Sequence, residues 1–203
     1  MSSPRPGHEK RRPRVPRVGA VKIVTIGKGK VGGGLADLWR KAGHQVTELG
    51  REGGNATGAE AALLAVPAAA ISAALAGIRG LDGVPVIDST NVVRDPRPEG
   101  FDSLAQYVKS LTGGLVAKAF NTNFALLYDK VADSVPPPGM FFAADAQAQS
   151  VTERLIRDAG YDPVYVGDLS TARYVEDFIG LNFAIAAQRG PFFYRIGGPG
   201  DLR

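Results

Sequence analysis

Three glycines at the spacing Gly27-x-Gly29-x-x-Gly32 stand directly behind a short apolar run, Val21 to Ile26, and directly ahead of a helical pattern. Residues of this kind in this setting could bind a pyrophosphate. In a strand-to-helix turn the first glycine permits the tight bend, the second lets a phosphate approach bare backbone, and the third lets the helix pack closely on the strand. The N–H groups of the first helical turn then point at the anion. Lys28, Lys30 and Val31 fill the remaining positions of the turn. The two lysines either add positive charge beside the phosphates or stay hydrated in the loop.

The flanking elements decide whether the glycines carry that meaning. Leu35, Leu38, Trp39 and Ala42 recur at helical spacing, and Gly43 follows as a left-handed cap, so the turn opens a helix. A second strand, His44 to Leu49, comes next. Its tip selects the dinucleotide, because an Asp or Glu there accepts hydrogen bonds from adenosine ribose hydroxyls and repels a phosphate. Here the tip reads Leu49-Gly50-Arg51. Gly50 leaves room where the acid would sit, and Arg51 offers a planar cationic fork suited to a 2′-phosphate. That is the pattern of NADP. The competing reading makes Glu48 the ribose ligand and Arg51 a solvated loop charge.

Composition narrows the rest. A chain of 203 residues with 44% hydrophobic content allows one domain with a small extension. The absence of cysteine excludes disulfides, thiolate nucleophiles and Cys-ligated metals, and points to the cytoplasm. Two histidines, His8 and His44, give no metal site, and no apolar run reaches the roughly 18 to 20 residues of a membrane span. Arg5, Lys10, Arg11, Arg12, Arg14 and Arg17 against Glu9 place a charge of +5 in the first 17 residues, so the rest of the +4 chain is near −1. The basicity belongs to a tail, and nucleic acid is not the expected partner. Residues 1–17 read as a disordered basic tail, 18–190 as the NADP-binding domain with its carboxyl-terminal extension, and 191–203 as a second tail.

Beyond Arg51 the chain alternates strand and helix, the pattern of an α/β parallel sheet. Ala61 to Pro67 reads as a buried parallel strand ending where such sheets bind their cofactors. Only Glu52 to Glu60 separate it from Arg51, so the usual crossover helix shrinks to a loop or single turn. A helix over Ala68–Gly77 follows Pro67. Further strands are expected at Val84–Asp88, Leu115–Ala119, Met140–Ala144 and Val164–Val166. Helices are expected at Asp102–Leu111, Ala146–Ala159 and Thr171–Gln188, the last with Val175, Phe178, Ile179, Phe183 and Ala186 on one face. That face needs cover, either from the sheet or from a second subunit.

Taken together, the glycine fingerprint, Gly50-Arg51, Leu64-Ala65-Val66-Pro67, Ile87-Asp88-Ser89-Thr90-Asn91, Lys118-Ala119-Phe120-Asn121-Thr122 and Ala172-Arg173-Tyr174-Val175-Glu176 resemble the coenzyme F-420-dependent NADP oxidoreductase family. The resemblance runs from about Val21 to Gly190. It implies a Rossmann-type doubly wound parallel sheet with a small C-terminal α/β extension, and a homodimer. By this resemblance, Gly27 to Gly32 hold the pyrophosphate and Arg51, beside Gly50, the 2′-phosphate. Ala65, Val66 and Pro67 line the cofactor, while Asn91, Ala119, Phe120 and Asn121 lie near the nicotinamide and the acceptor. The family's enzymes move a hydride between NADPH and a deazaflavin, and relatives in eukaryotic metalloreductases pass it to a flavin. The chain departs from the family in the short segment after Arg51 and in Leu49-Gly50, where a Gly-Ser pair is common.

If both partners are carriers, hydride passes between two stacked rings and no protein acid or base is required. If the acceptor is a small carbonyl or imine, a proton donor is required, and Lys118, Tyr174, Tyr128 and Asp177 are the candidates. Each has a structural reading as well: Lys118 closing a strand, the tyrosines packing, Asp177 a solvated helix charge. A non-catalytic NADP-binding regulator is the third reading. Sequence assigns no catalytic residue and no metal.

Overall fold

The computed structural model of the chain describes residues 19–93 and 96–200, so the basic tail at 1–17 lies outside the described residues. Its centre is a seven-stranded sheet ordered β2-β1-β4-β6-β7-β8-β9. The strands are β1 (Lys22–Ile26), β2 (Gln45–Leu49), β4 (Ala61–Leu64), β6 (Val86–Asp88), β7 (Val116–Lys118), β8 (Gly139–Ala144) and β9 (Asp162–Gly167). β2 and β4 both pair in parallel with β1, on opposite sides, so the strand order reverses beside β1. That reversal opens a crevice at the carboxyl ends of β1 and β4, the place where open α/β sheets bind ligands.

The layers follow from side-chain alternation along β1. Ile23 joins Leu35, Trp39, Leu63, Phe120, Phe142 and Leu155 in one buried cluster, which brings α1 (Lys30–Ala42) and α4 (Ala146–Asp158) to that face. Val24 and Ile26 join Leu64, Ile71, Leu104, Val108 and Val175 in the other, beneath α2 (Ile71–Ala76), α3 (Leu104–Thr112) and α5 (Ala172–Arg189). The buried runs of β4 and β7 are apolar on both faces for this reason, apart from Lys118. α1 ends as its sequence requires: Gly43 takes φ 97°, and the N–H of His44 reaches back to Trp39 O at 3.0 Å. The Trp39 indole donates to Leu155 O at 2.9 Å and ties α1 to α4.

Two expectations are refined and a third holds. The sheet is not parallel throughout: β8 runs antiparallel to β7, with Ala117 opposite Ala144. The link between those strands holds only a three-ten helix, Ala125–Asp133, and no α-helical crossover, so the chain returns in the reverse sense. The helix expected over Ala68–Gly77 is a three-ten turn, Ala68–Ala70, leading into the six residues of α2, because Pro67 and Ala70 supply no capping side chain. The short segment after Arg51 does lack a helix; Gly54–Asn55 (β3) pairs instead with Ile78–Arg79 (β5) as a separate two-stranded sheet.

The apolar face of α5 is divided rather than continuous. Val175 is buried in the core, Phe178 packs at 5.0 Å on Phe141 and 5.3 Å on Tyr194, and Phe183 is 45% exposed. Tyr194 belongs to the segment read as a tail, yet its ring stacks on Phe141 at 4.8 Å and its carbonyl accepts the Gly139 N–H at 2.7 Å. Among the described residues no helix is long and apolar enough to cross a membrane.

Candidate dinucleotide site

Each of the three glycines meets a different requirement. Gly27 leaves β1 at φ 110°, and a β-carbon there would stand 2.3 Å from Ala65 O, so only glycine fits. A β-carbon on Gly32 would stand 1.9 Å from Gly27 O, which leaves α1 packed against the turn without any intervening side chain. At Gly29, the N-cap of α1, a β-carbon would meet nothing within 4 Å. The first and third positions are therefore closed by the fold and the second is open. That is the division of labour a pyrophosphate cradle needs, and the residues fit a dinucleotide.

The adenosine end is formed by the β2 tip. Gly27 N–H donates to Leu49 O at 2.8 Å, which sets the phosphate turn beside that tip. Glu48, the alternative ribose ligand, turns toward α1, where Arg40 donates to its carboxylate at 2.7 Å. This pairing raises the Arg40 pKa, with the Glu48 hydrogen bond as the largest cause. Arg51 is exposed and forms no ion pair among the described residues. Lys28 pairs with Glu52 at 2.9 Å, and Lys30 is exposed in the first turn of α1.

Opposite the turn, the end of β4 supplies the second wall. Ala65 and Val66 are half-buried and Pro67 is exposed. Ala65 N–H donates to Ile26 O at 2.9 Å, which carries the ladder one residue past the strand. Ser89 crosses from β6 and gives both its N–H and its hydroxyl to Leu64 O, at 3.0 and 2.8 Å. Ser89 is thus a structural fastener.

The ends of β6 and β7 are joined by two asparagines. Asn91 Nδ2 donates to Asn121 O at 2.8 Å, and Asn121 Nδ2 donates to Asn91 Oδ1 at 3.0 Å and to Val175 O at 3.2 Å. Asn121 Oδ1 is buried with no hydrogen-bond partner. The sequence also pointed to Ala119 and Phe120 here, and both side chains lie in the core instead: Ala119 is fully buried, and Phe120 packs edge-on against Trp39 at 5.4 Å. Phe120 holds φ 62°, a strained conformation for a bulky residue, which turns its backbone at the sheet's carboxyl edge while its ring points inward. Neither residue offers surface to a ligand, and the Ala119 N–H is already given to Asp88 O at 3.1 Å.

Beneath the asparagines lies an ion network that sequence reasoning did not find. Lys118 is fully buried; its ammonium donates to Asp88 Oδ2 at 2.9 Å and Thr90 O at 2.5 Å and forms an ion pair with Glu176 Oε1 at 3.2 Å. Asp88 Oδ1 accepts from the N–H and hydroxyl of Thr90 at 2.9 and 2.6 Å. Glu176 also receives Arg97 Nε at 3.2 Å and Ala105 N–H at 3.3 Å. A charged residue ending an apolar strand was the one signal of this network, and its partners come from 30 residues before it and from α5.

This geometry settles where the four proposed proton donors stand. Lys118 is fully buried within this network. Tyr174 is 73% exposed on the outside of α5. Tyr128 is buried against Gly34 of α1 with its hydroxyl unpaired, and burial pushes its pKa up. Asp177 is held by Arg97 and by Arg173 at 3.2 Å; desolvation opposes its ionisation, but these hydrogen bonds prevail and its pKa is lowered. The structure does not bring the four together. No cluster of three or more potential metal ligands occurs among the described residues.

Comparison with known proteins bears on the fold. No family profile and no curated protein matches the chain. Among solved structures it is similar to a protein from Arthrobacter sp. FB24, provisionally described as an F420-dependent NADP reductase, at 22% identity and TM-score 0.73, covering 88% of this chain and 100% of that one. It is also similar to a protein of unassigned function from Sinorhizobium meliloti, at 22% identity and TM-score 0.65 over 78% and 90% of the two chains. A reductive aminase from Aspergillus terreus, solved with NADPH and ethyl levulinate, matches at 17% identity and TM-score 0.62 over 85% of this chain. This chain spans 64% of that aminase. The fold is a Rossmann-like α/β fold.

Proposed function

We propose that the chain is an NADP-dependent oxidoreductase that transfers hydride between NADPH and a deazaflavin of F-420 type or a flavin. The observation that carries this reading is the adenosine end: an open phosphate turn at the strand-order reversal, an unpaired Arg51 beside it, and the nearest acid of β2, Glu48, already held by Arg40. The solved relatives support it, since one is provisionally described as an F420-dependent NADP reductase and another was solved with NADPH.

In this account Gly27, Gly29 and Gly32 form the cradle, with Lys30 and the N–H groups of α1 facing the pyrophosphate and Lys28, paired with Glu52 beside Gly50, facing the adenosine end. Arg51 and Gly50 receive the 2′-phosphate, and Ala65, Val66 and Pro67 flank the dinucleotide. NADPH, when bound, supplies the hydride. The chain's own part is to position and to exclude water, with Asn91 and Asn121 at the reacting end and Ala119 and Phe120 supporting them from the core. Asn121 Oδ1, buried without a partner, is an acceptor suited to an amide donor there. Lys118 and Tyr128 are buried and Asp177 is ion-paired, so exposed Tyr174 is the candidate left to the small-substrate reading, which needs a free proton donor at the crevice. The carrier reading needs none. The exposed Phe183 and the neighbouring Phe124 and Phe192 are consistent with the homodimer we infer. The test of the cofactor is calorimetric titration of the protein with NADPH and NADH. Clear preference for NADPH is expected, and equal binding of the two contradicts the assignment.

A further inference from the structure

Glu52 is the one charged residue at the β2 tip to which the account above gives no task. It sits in the turn closed by Gly53 N–H to Gly50 O at 3.2 Å, and its side chain folds back over Gly50. One carboxylate oxygen accepts from Lys28 Nζ at 2.9 Å and from the Gly50 N–H at 3.2 Å. The other lies so near Gly50 that a β-carbon on that residue would stand 2.4 Å from it. The carboxylate thus fills the space that a side chain at position 50 would take. It is held by a main-chain N–H and an ammonium, the donors an anion site is made of. The Lys28 hydrogen bond, aided by the main-chain N–H groups, holds the Glu52 carboxyl down at about 2.

We propose that the Glu52 carboxylate is an internal stand-in for the 2′-phosphate of NADP, occupying the corner between Lys28 and Gly50 N–H in the free protein and leaving it when the phosphate arrives. The inference rests on the NADP reading and deepens it. Both anions require the same Lys28 donor, and they cannot share a corner this small without repulsion. The displacement is easy, because both partners are largely exposed, with side-chain exposures of 49% and 66%, and exposed pairs of this kind are weak. A phosphate that also engages the free Arg51 fork makes more charge-assisted bonds than a single carboxylate can. A ligand with a bare 2′-hydroxyl leaves the Lys28–Glu52 pair in place. Discrimination at this tip therefore arises from competition with the protein's own anion as well as from attraction to Arg51.

The test uses adenosine 2′,5′-bisphosphate and 5′-AMP as probes, titrated calorimetrically into the native protein and into Glu52→Gln and Glu52→Ala variants, with circular dichroism confirming the fold. Both variants should bind the bisphosphate about threefold or more tightly than the native protein, with the gain shrinking as salt rises, while 5′-AMP binding stays nearly unchanged. Unchanged or weaker bisphosphate binding in both variants overturns the stand-in role while leaving the NADP reading intact. Failure of the native protein to prefer the bisphosphate over 5′-AMP overturns the NADP reading and the inference together.

Discussion

Lys118→Met is the perturbation whose consequence the structure fixes most sharply. The substitution nearly conserves length and removes one charge from a fully buried set, leaving Asp88 and Glu176 with the Lys118 ammonium gone. Removing one partner of a buried ion pair costs about 3 to 5 kcal/mol, since the remaining charge is uncompensated. Arg97 still reaches Glu176, but Asp88 keeps only Thr90, so the loss belongs in that range. For a chain of this size the loss lowers Tm by roughly 6 to 20 °C. Thermal and urea unfolding, followed by circular dichroism, measure it. The triple variant Asp88→Asn, Lys118→Met, Glu176→Gln should recover part of the deficit, because no carboxylate is then left buried without its ammonium, while Arg97 keeps Asp177. A loss under about 1 kcal/mol in the single variant, or a triple variant no more stable than the single one, refutes the reasoning.

The cradle makes a paired prediction: Gly29→Ala should fold with little change in Tm yet weaken NADPH binding at least about tenfold by filling the open position, whereas Gly32→Ala should lose about 1 to 3 kcal/mol of stability through its 1.9 Å approach to Gly27 O. Titration and melting curves on both proteins decide it, and equal NADPH affinity in native and Gly29→Ala protein defeats the cradle assignment. Arg51→Asp should cost NADPH about 1.5 to 3 kcal/mol of affinity in calorimetric titration and leave NADH nearly unaffected. Asp177 has a lowered pKa in the fold, so its contribution is present above its ordinary value and disappears as pH falls through the folded one. Urea unfolding should show the native protein losing stability below about pH 4, with a shallower loss in Asp177→Asn.

The phosphate turn, α1 and the β2 tip were legible in the sequence because their signals are local. Glycine conformation, helical spacing and a strand tip fall within 31 residues, from Val21 to Arg51. The antiparallel β8 was not legible, because its sense depends on how the link from Phe120 to Pro138 folds, and three-ten turns leave no periodic trace. The Lys118 network was hidden for another reason. Its carboxylates come from Asp88 on a neighbouring strand and Glu176 on the last helix, and nothing local marks a buried Glu among the exposed charges of α5. The division of the α5 face was equally invisible, since Tyr194 and Phe141 reach Phe178 only through tertiary packing. At Ala119 and Phe120 the motif marked residues that tertiary packing buries, Phe120 against Trp39. The turn at Phe120, with φ 62°, sends the ring inward, and no local pattern announces it.

The central claim is hydride transfer from NADPH to a carrier ring without a protein acid. Its most direct test is anaerobic stopped-flow spectroscopy of the purified protein with NADPH and a panel of deazaflavin, flavin and small carbonyl or imine acceptors, repeated with the Tyr174→Phe variant. The account predicts single-turnover oxidation of NADPH by a deazaflavin or flavin, with the variant within a few-fold of the native rate. NADPH oxidation by a carbonyl or imine alone, or loss of turnover in Tyr174→Phe while NADPH binding persists, would contradict it.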